Sequence, residues 1–393
     1  MALSLSTQSQ LKGRNVQTSA DPAFDQLEKK LLYPADINHR FDLWLDPIRS
    51  VPDEEKIFFT QNLAVMFKSG LSAARALRTL TLQSKNPKLK RVLFKVFRRV
   101  EKGDTIASAL ADYPKVFGPI FVNMVRAGES AGQLEDVLKE LTHQLKRSHE
   151  LKSKIKGALM YPTAILIAMT AIGTGMIIFV IPKLIAVFEE MSVELPLPTR
   201  ILISVSNVVN GYLYLFAPGI ALAVIALVYI TRHGVGKRVW HALMLRMPVA
   251  GPIVRKINLA KMSRTLSSLL ETDMPIVDSF KLTANIVRNV HYQNSLNYIA
   301  ASVEKGKQIG QLMAQYENLY PPVVQQMVQV GEETGEIASI LNQLAEFYEE
   351  DVSQTMDSLP SLIEPILIVA LGGAVGGMAV AVIMPMFSLA SAV

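Results

Sequence analysis

Two carboxylates stand in matching settings, Glu129 in Gly128-Glu129-Ser130-Ala131-Gly132 and Glu332 in Gly331-Glu332-Glu333-Thr334-Gly335. Paired carboxylates can perform general acid–base chemistry, and a glycine-bearing bend ahead of a helix can hold phosphate on its backbone N–H groups. Neither chemistry is completed here. No G-x-x-x-x-G-K-[S/T] arrangement occurs, and the two glutamates come from separate halves of the chain with no nucleophile implied beside them. The histidines, at 40, 143, 149, 233, 241 and 291, form no H-E-x-x-H spacing, and His143 and His149 at i,i+6 make a poor ligand pair. The absence of cysteine excludes disulfides and thiolate catalysis. No catalytic residue, metal site or cofactor is therefore expected. The glycine–glutamate segments read first as turns, in which a helix ends at Gly128 or Gly331 and another starts beyond it. Ser130 with Gln133 has capping-box spacing, and Thr334 fits a weaker version. A contact surface for a partner is the second reading.

The two segments belong to a larger repeat. Sliding the sequence by 203 positions sets Leu63 on Leu266, Leu71 on Met274, Gly103 on Gly306, Met124 on Met327, Gly132 on Gly335, Leu138 on Leu341 and Pro162 on Pro365. Such a register over about a hundred residues marks a duplicated module and sets the domain plan. In the first copy, Phe58, Leu63, Met66, Phe67 and Leu71 recur near helical spacing across 54–82. Further helices are expected over about 87–101, 105–111, 119–127 and 134–150. Each copy thus reads as an all-α bundle of about six helices. The copies differ in places. Asp273 stands where the first has Gly70, making a tight turn less assured, and Glu333 replaces Ser130.

With 50% apolar and 19% charged residues and a mean hydropathy of +0.27, the chain is too apolar for an ordinary soluble protein. Three membrane-length apolar runs cover 163–181, 212–230 and 366–389. Pro162 and Pro365 sit at equivalent places before the first and third, where a first helical turn tolerates proline. Gly372, Gly373, Gly376 and Gly377 give two overlapping G-x-x-x-G spacings, a helix-packing face in lipid. Lys146, Arg147, Lys152, Lys154 and Lys156 precede the first run, and Arg232, Lys237, Arg238 and Arg246 follow the second. The positive-inside rule then places both bundles in the cytoplasm, the 183–211 loop outside and the C-terminus in the periplasm. Because the basic stretches flank apolar runs, no nucleic-acid partner is expected.

The expected plan is an N-terminal region (1–52), a first bundle (53–160), a span (161–182), a periplasmic loop (183–211) and a second span (212–230). A basic linker (231–261), a second bundle (262–364) and a third span (365–389) complete it. Residues 1–22 read as disordered, with a short helix over 23–46. Met1 to Ala20 lacks an apolar h-region, so no cleavable signal peptide is expected. The linker, with Trp240, Met247-Pro248 and Gly251-Pro252, reads as an interfacial segment followed by a turn.

Phe58-Phe59-Thr60-Gln61-Asn62-Leu63 through Gly70-Leu71, the paired glycine–glutamate segments and the order soluble–span–span–soluble–span are similar to one family. They resemble the inner-membrane platform proteins of bacterial type II secretion and type IV pilus machines, the GspF/PilC family, over about 57–388. The family's turn signatures would fall on Gly128, Glu129 and Gly132, and on Gly331, Glu332 and Gly335. The resemblance implies a non-enzymatic anchor in the bacterial inner membrane. Its partners would be a hexameric cytoplasmic assembly ATPase, pilin or pseudopilin subunits, other inner-membrane assembly proteins and a second copy of itself, a dimer being favoured. An oligomeric pore or transporter subunit is the alternative; against it, the duplication is mainly soluble and no span carries a charge.

Overall fold

A computed structural model describes residues 50–183, 185, 197–211 and 213–390 of the chain. Residues 1–49, where disorder and a short helix were expected, and most of the 183–196 stretch lie outside the described residues. The chain divides into two compact units, Met1–Thr142 and His143–Val393.

The first unit holds α1 (Asp53–Lys68), α2 (Ala73–Gln83), α3 (Pro87–Glu101), α4 (Ile106–Ala111), α5 (Pro119–Ala131) and the start of α6 (Leu134–Gly175). Three acidic residues in its first turn, Asp53, Glu54 and Glu55, start α1 favourably against the helix dipole. Asn86 starts α3 by accepting from the Lys88 and Leu89 N–H groups at 3.1 and 3.0 Å, with Pro87 in the first turn. The apolar faces converge on Phe59, Leu63, Leu77, Leu80, Leu93, Phe94, Leu110 and Phe117, all buried. The Phe117 ring lies 5.5 Å from Phe59 and 5.0 Å from Phe121. Each such side chain contributes about 1.5–3 kcal/mol over its exposed state.

The second unit adds α7 (Leu197–Gly211), α8 (Leu213–Arg232), α9 (Gly234–Arg246), α10 (Ala250–Leu270), α11 (Ile276–Ile286), α12 (Val290–Val303), α13 (Ile309–Ala314), α14 (Pro322–Thr334) and α15 (Ile337–Ala390). The sequence offset reappears as geometry. The starts of α11 to α15 follow those of α2 to α6 by 203 positions each. Asn289 caps α12 as Asn86 caps α3, accepting from the His291 N–H at 2.9 Å. The core here is more polar, with Tyr292 and Tyr320 fully buried and their rings edge to face at 5.6 Å. The Tyr292 hydroxyl donates to the Leu319 carbonyl at 2.7 Å, and Tyr320 bonds Ser295 at 2.6 Å, which satisfies both buried phenols. Burial holds both hydroxyls well above the usual phenol range, so they stay protonated.

The turn after α1 and its counterpart after α10 close alike despite their different residues. Gly70 and Asp273 both take left-handed backbone, at φ 76° and 56°. In each, the next residue's N–H returns to a carbonyl five positions back, Leu71 to Met66 and Met274 to Leu269. The tight turn is therefore kept at Asp273, where the expectation left it less assured, and the aspartate bears the strain of a positive φ.

Two helices among the described residues are long and apolar enough to cross a membrane, Leu134–Lys183 and Ile337–Ala381, not the three expected. The expectation counted apolar runs by composition. The run at 212–230 falls on the 20-residue α8, which carries Pro218 and is not one of the two. The two that qualify reach 50 and 45 residues because each continues the last helix of a bundle. Pro162 and Pro365 accordingly lie inside α6 and α15, not in first turns. Each leaves one backbone carbonyl, of Ala158 or Ser361, without its usual i+4 donor. The 183–211 stretch, expected as a loop, contains α7. The Thr199 hydroxyl of α7 donates to the Ala381 carbonyl at 2.7 Å, and Ser206 donates to Ile177 O at 3.0 Å, in the π-helical turn Met176–Val180.

Candidate functional site

The glycine–glutamate segments are not helix breaks. α5 runs through Gly128 and Glu129 to Ala131, and α14 runs through Gly331 and Glu332 to Thr334. The helices end at the second glycines, Gly132 at φ 70° and Gly335 at φ 77°, where a left-handed residue suits glycine. Gln133 N–H then reaches back to Gly128 O at 2.8 Å. Ser130 is thus helical and no N-cap, and Thr334 spends its hydroxyl on Val330 O at 2.8 Å. The expectation ends the helix at the first glycine of each segment, and the structure ends it at the second. The first is reserved for packing, since a Cβ on Gly128 would stand 2.8 and 2.9 Å from Val137 Cγ2 and Cβ. On Gly331 it would stand 3.1 Å from Ile337 Cα and Ile340 Cγ1.

Each glutamate reaches across to the short helix of its own bundle. Glu129 accepts from the Ile106 and Ala107 N–H groups at 2.8 and 3.0 Å, through one oxygen each. Glu332 accepts from Ile309 N–H at 2.9 and 2.8 Å through its two oxygens, and from Gly310 N–H at 3.3 Å. α4 and α13 have six residues each, and their unsatisfied N-terminal donors meet a full negative charge. The sequence gives a weak hint of this tertiary cap, the same 23-residue separation in both copies. With both carboxylates engaged by backbone donors, the arrangement fixes the start of a short helix in each bundle.

A second set of charges joins helices in the His143–Val393 unit, and sequence reasoning missed it. Arg264 on α10 forms a bidentate pair with Glu349 on α15, at 3.0 and 2.8 Å, and also donates to Asn342. Both partners are largely buried, with side-chain exposures of 15% and 14%. Lys256 donates to Asp351 at 2.7 Å and to Thr355 at 3.2 Å. Lys154 on α6 reaches Ser353 and lies 3.6 Å from Asp357. Beneath them Leu151 packs with Val352, Met356 and Leu359. In the first copy, Gln61 and Lys146 occupy the places of Arg264 and Glu349, so the buried pair belongs to the second copy alone.

Gly372, Gly373, Gly376 and Gly377 lie on α15, and a Cβ on any of them would meet nothing within 4 Å. Among the described residues no group of three His, Asp or Glu side chains is placed to hold a metal ion.

Comparison with known proteins gives this geometry a family. The family model described as "Type II secretion system (T2SS), protein F" matches twice, over residues 59–182 and 262–385, at the same 203-residue offset. The type IV pilus assembly protein PilC of Myxococcus xanthus is 33% identical over 352 residues, covering 90% of this chain and 84% of that protein. PilC of Thermus thermophilus is 33% identical over 335 residues, covering 84% and 81%. The type II secretion system protein F of Vibrio cholerae is 28% identical over 347 residues, covering 87% and 84%. Carrying two helices fit to cross a membrane and a duplicated helical bundle, the chain belongs to the Type II secretion system protein F family, the non-enzymatic, multi-pass inner-membrane platforms of pilus and secretion machines.

Proposed function

We propose that the protein passes motion from a hexameric assembly ATPase, bound on its cytoplasmic bundles, to pilin or pseudopilin subunits held at the membrane. One observation carries this reading: the last helix of each bundle continues unbroken into an apolar, membrane-length stretch. A helix is stiff over such lengths, so a displacement at its bundle end reaches the membrane end. The Arg264–Glu349 and Lys256–Asp351 pairs brace α15 against α10 a few turns before the apolar part begins at Ile366. Lys146, Arg147, Lys152, Lys154 and Lys156 on α6 support a cytoplasmic position for the bundle that α6 closes. The glutamate caps keep the bundles rigid under load, and the Gly372–Gly377 face of α15 meets a second copy of the chain in a dimer.

Co-purification of the detergent-solubilised full-length chain from its native host tests the reading. Recovery of a hexameric assembly ATPase together with pilin-like subunits and other inner-membrane assembly proteins supports it. Recovery of a homo-oligomer without any ATPase, under conditions that keep such complexes intact, returns the pore reading.

A further inference from the structure

Helix α9 has one occupied face and one bare one. On the occupied side, His241 Nδ1 accepts from the Val290 N–H at 3.2 Å, and Leu245 packs against the core of the second bundle. The ends of α9 are fixed as tightly. A Cβ on Gly236 would stand 2.2 Å from Ile230 O, and one on Gly251 would stand 2.6 Å from Leu245 O. The angle between α8 and α9, and that between α9 and α10, are thus set by close backbone contact.

The bare side is apolar. Val235, Val239 and Leu243, at i, i+4 and i+8, are 75%, 61% and 49% exposed, and Met247 and Val249 prolong the stripe. Exposed Arg238 and Arg246 border it. The preceding helix α8 ends one residue before α9 begins, and it too exposes Leu222, Ile225, Leu227, Tyr229 and Ile230. Tyr229 stacks on His233 at 4.4 Å in the intervening turn, an amphipathic pair of the kind enriched where hydrocarbon meets water.

We infer that α9 lies in the plane of the membrane surface and docks on anionic lipid. Val235, Val239 and Leu243 enter the acyl boundary, while Arg238 and Arg246 meet lipid phosphates. Three observations select this occupant over a protein partner. The stripe continues the exposed apolar surface of α8 with one residue between them. The charges bordering it are cationic, matching an anionic leaflet. The opposite face is pinned to the bundle, so α9 presents this side in one fixed orientation. Bound in this way, α9 sets the height and tilt of the second bundle above the membrane.

The inference rests on the membrane reading of the chain, and its test separates the two. The protein has no cysteine, so single cysteines carry a fluorophore without background. Full-length V239C and I167C proteins, the latter labelled on the exposed face of α6, are reconstituted in vesicles of phosphatidylcholine with one-third phosphatidylglycerol. Brominated lipids are expected to quench both labels, and aqueous iodide neither. R238E together with R246E, or omission of phosphatidylglycerol, is expected to abolish most lipid quenching at 239 and leave 167 unchanged. Iodide quenching at 239 with lipid quenching at 167 overturns the inference. Label–label proximity at 239 without lipid quenching assigns the face to a second copy and also overturns it. Iodide quenching at both positions refutes the membrane reading itself.

Discussion

Replacing Glu332 by alanine removes the acceptor for two backbone donors and the negative charge at the start of α13. Hydrogen bonds to a charged acceptor are worth about 1.5–3 kcal/mol each, and loss of an ordinary helix cap costs about 1 kcal/mol. The Gly310 contact at 3.3 Å is long, so Ile309, held at 2.9 and 2.8 Å, carries most of the effect. A local loss of about 2 kcal/mol follows, which opens α13 roughly 30-fold more often. Hydrogen–deuterium exchange of full-length protein in detergent reads this at the Ile309 and Gly310 amides. Glu332→Ala should speed exchange there by that factor, and Glu332→Gln, which keeps one acceptor oxygen, by markedly less. Glu333→Ala, next to it on the exposed face and bonded to Gln329, should change nothing at α13. Unaltered exchange at Ile309 in Glu332→Ala would refute the tertiary-cap argument. If fibre assembly then failed nonetheless, Glu332 would be a contact for the motor and not a structural cap.

Three further outcomes follow from the same geometry. Asp273→Gly relieves a positive φ and should stabilise the protein by up to about 1 kcal/mol, whereas Gly70→Ala should destabilise it by about that amount, both read by thermal unfolding. Glu349→Ala leaves the Arg264 guanidinium facing a largely buried gap and should cost about 3 kcal/mol, while the double replacement Arg264→Met, Glu349→Leu should recover most of it. Burial first, then Lys237 and His291, hold His241 below its ordinary pKa of 6.5. Its contribution is therefore whole above pH 6.5 and declines as pH falls, because the unfolded chain takes up the proton before the folded one. The protection factor at Val290, with exchange corrected for the pH dependence of the intrinsic rate, should fall on acidification in the natural protein and stay flatter in His241→Gln.

Much of the helical plan is legible because its signals are local. Proline at the first position of α3, α5 and α14 acts within one turn of the chain. The repeat adds a second reading of every boundary at the same offset. What stays hidden is long-range. Glu129 and Glu332 cap helices 23 residues away, and Arg264 meets Glu349 across 85. Gly128 reads as the helix end in sequence because nothing local reveals Val137 pressed against it, and the helix ends at Gly132 instead. The prolines misled for a physical reason: Pro162 and Pro365 are interior to helices long enough to absorb one lost hydrogen bond, though alone each reads as a start.

The most direct test lengthens α15 between Glu364 and Pro365 in two ways, by seven alanines or by seven glycine and serine residues. Seven helical residues add nearly two full turns and keep both continuity and facing, whereas the flexible insert adds the same length and severs the helix. Both proteins should retain the assembly ATPase on co-purification. Fibre counts on cells should persist with the alanine insert and vanish with the flexible one. Equal fibre assembly by the two would contradict transmission of motion through an unbroken helix.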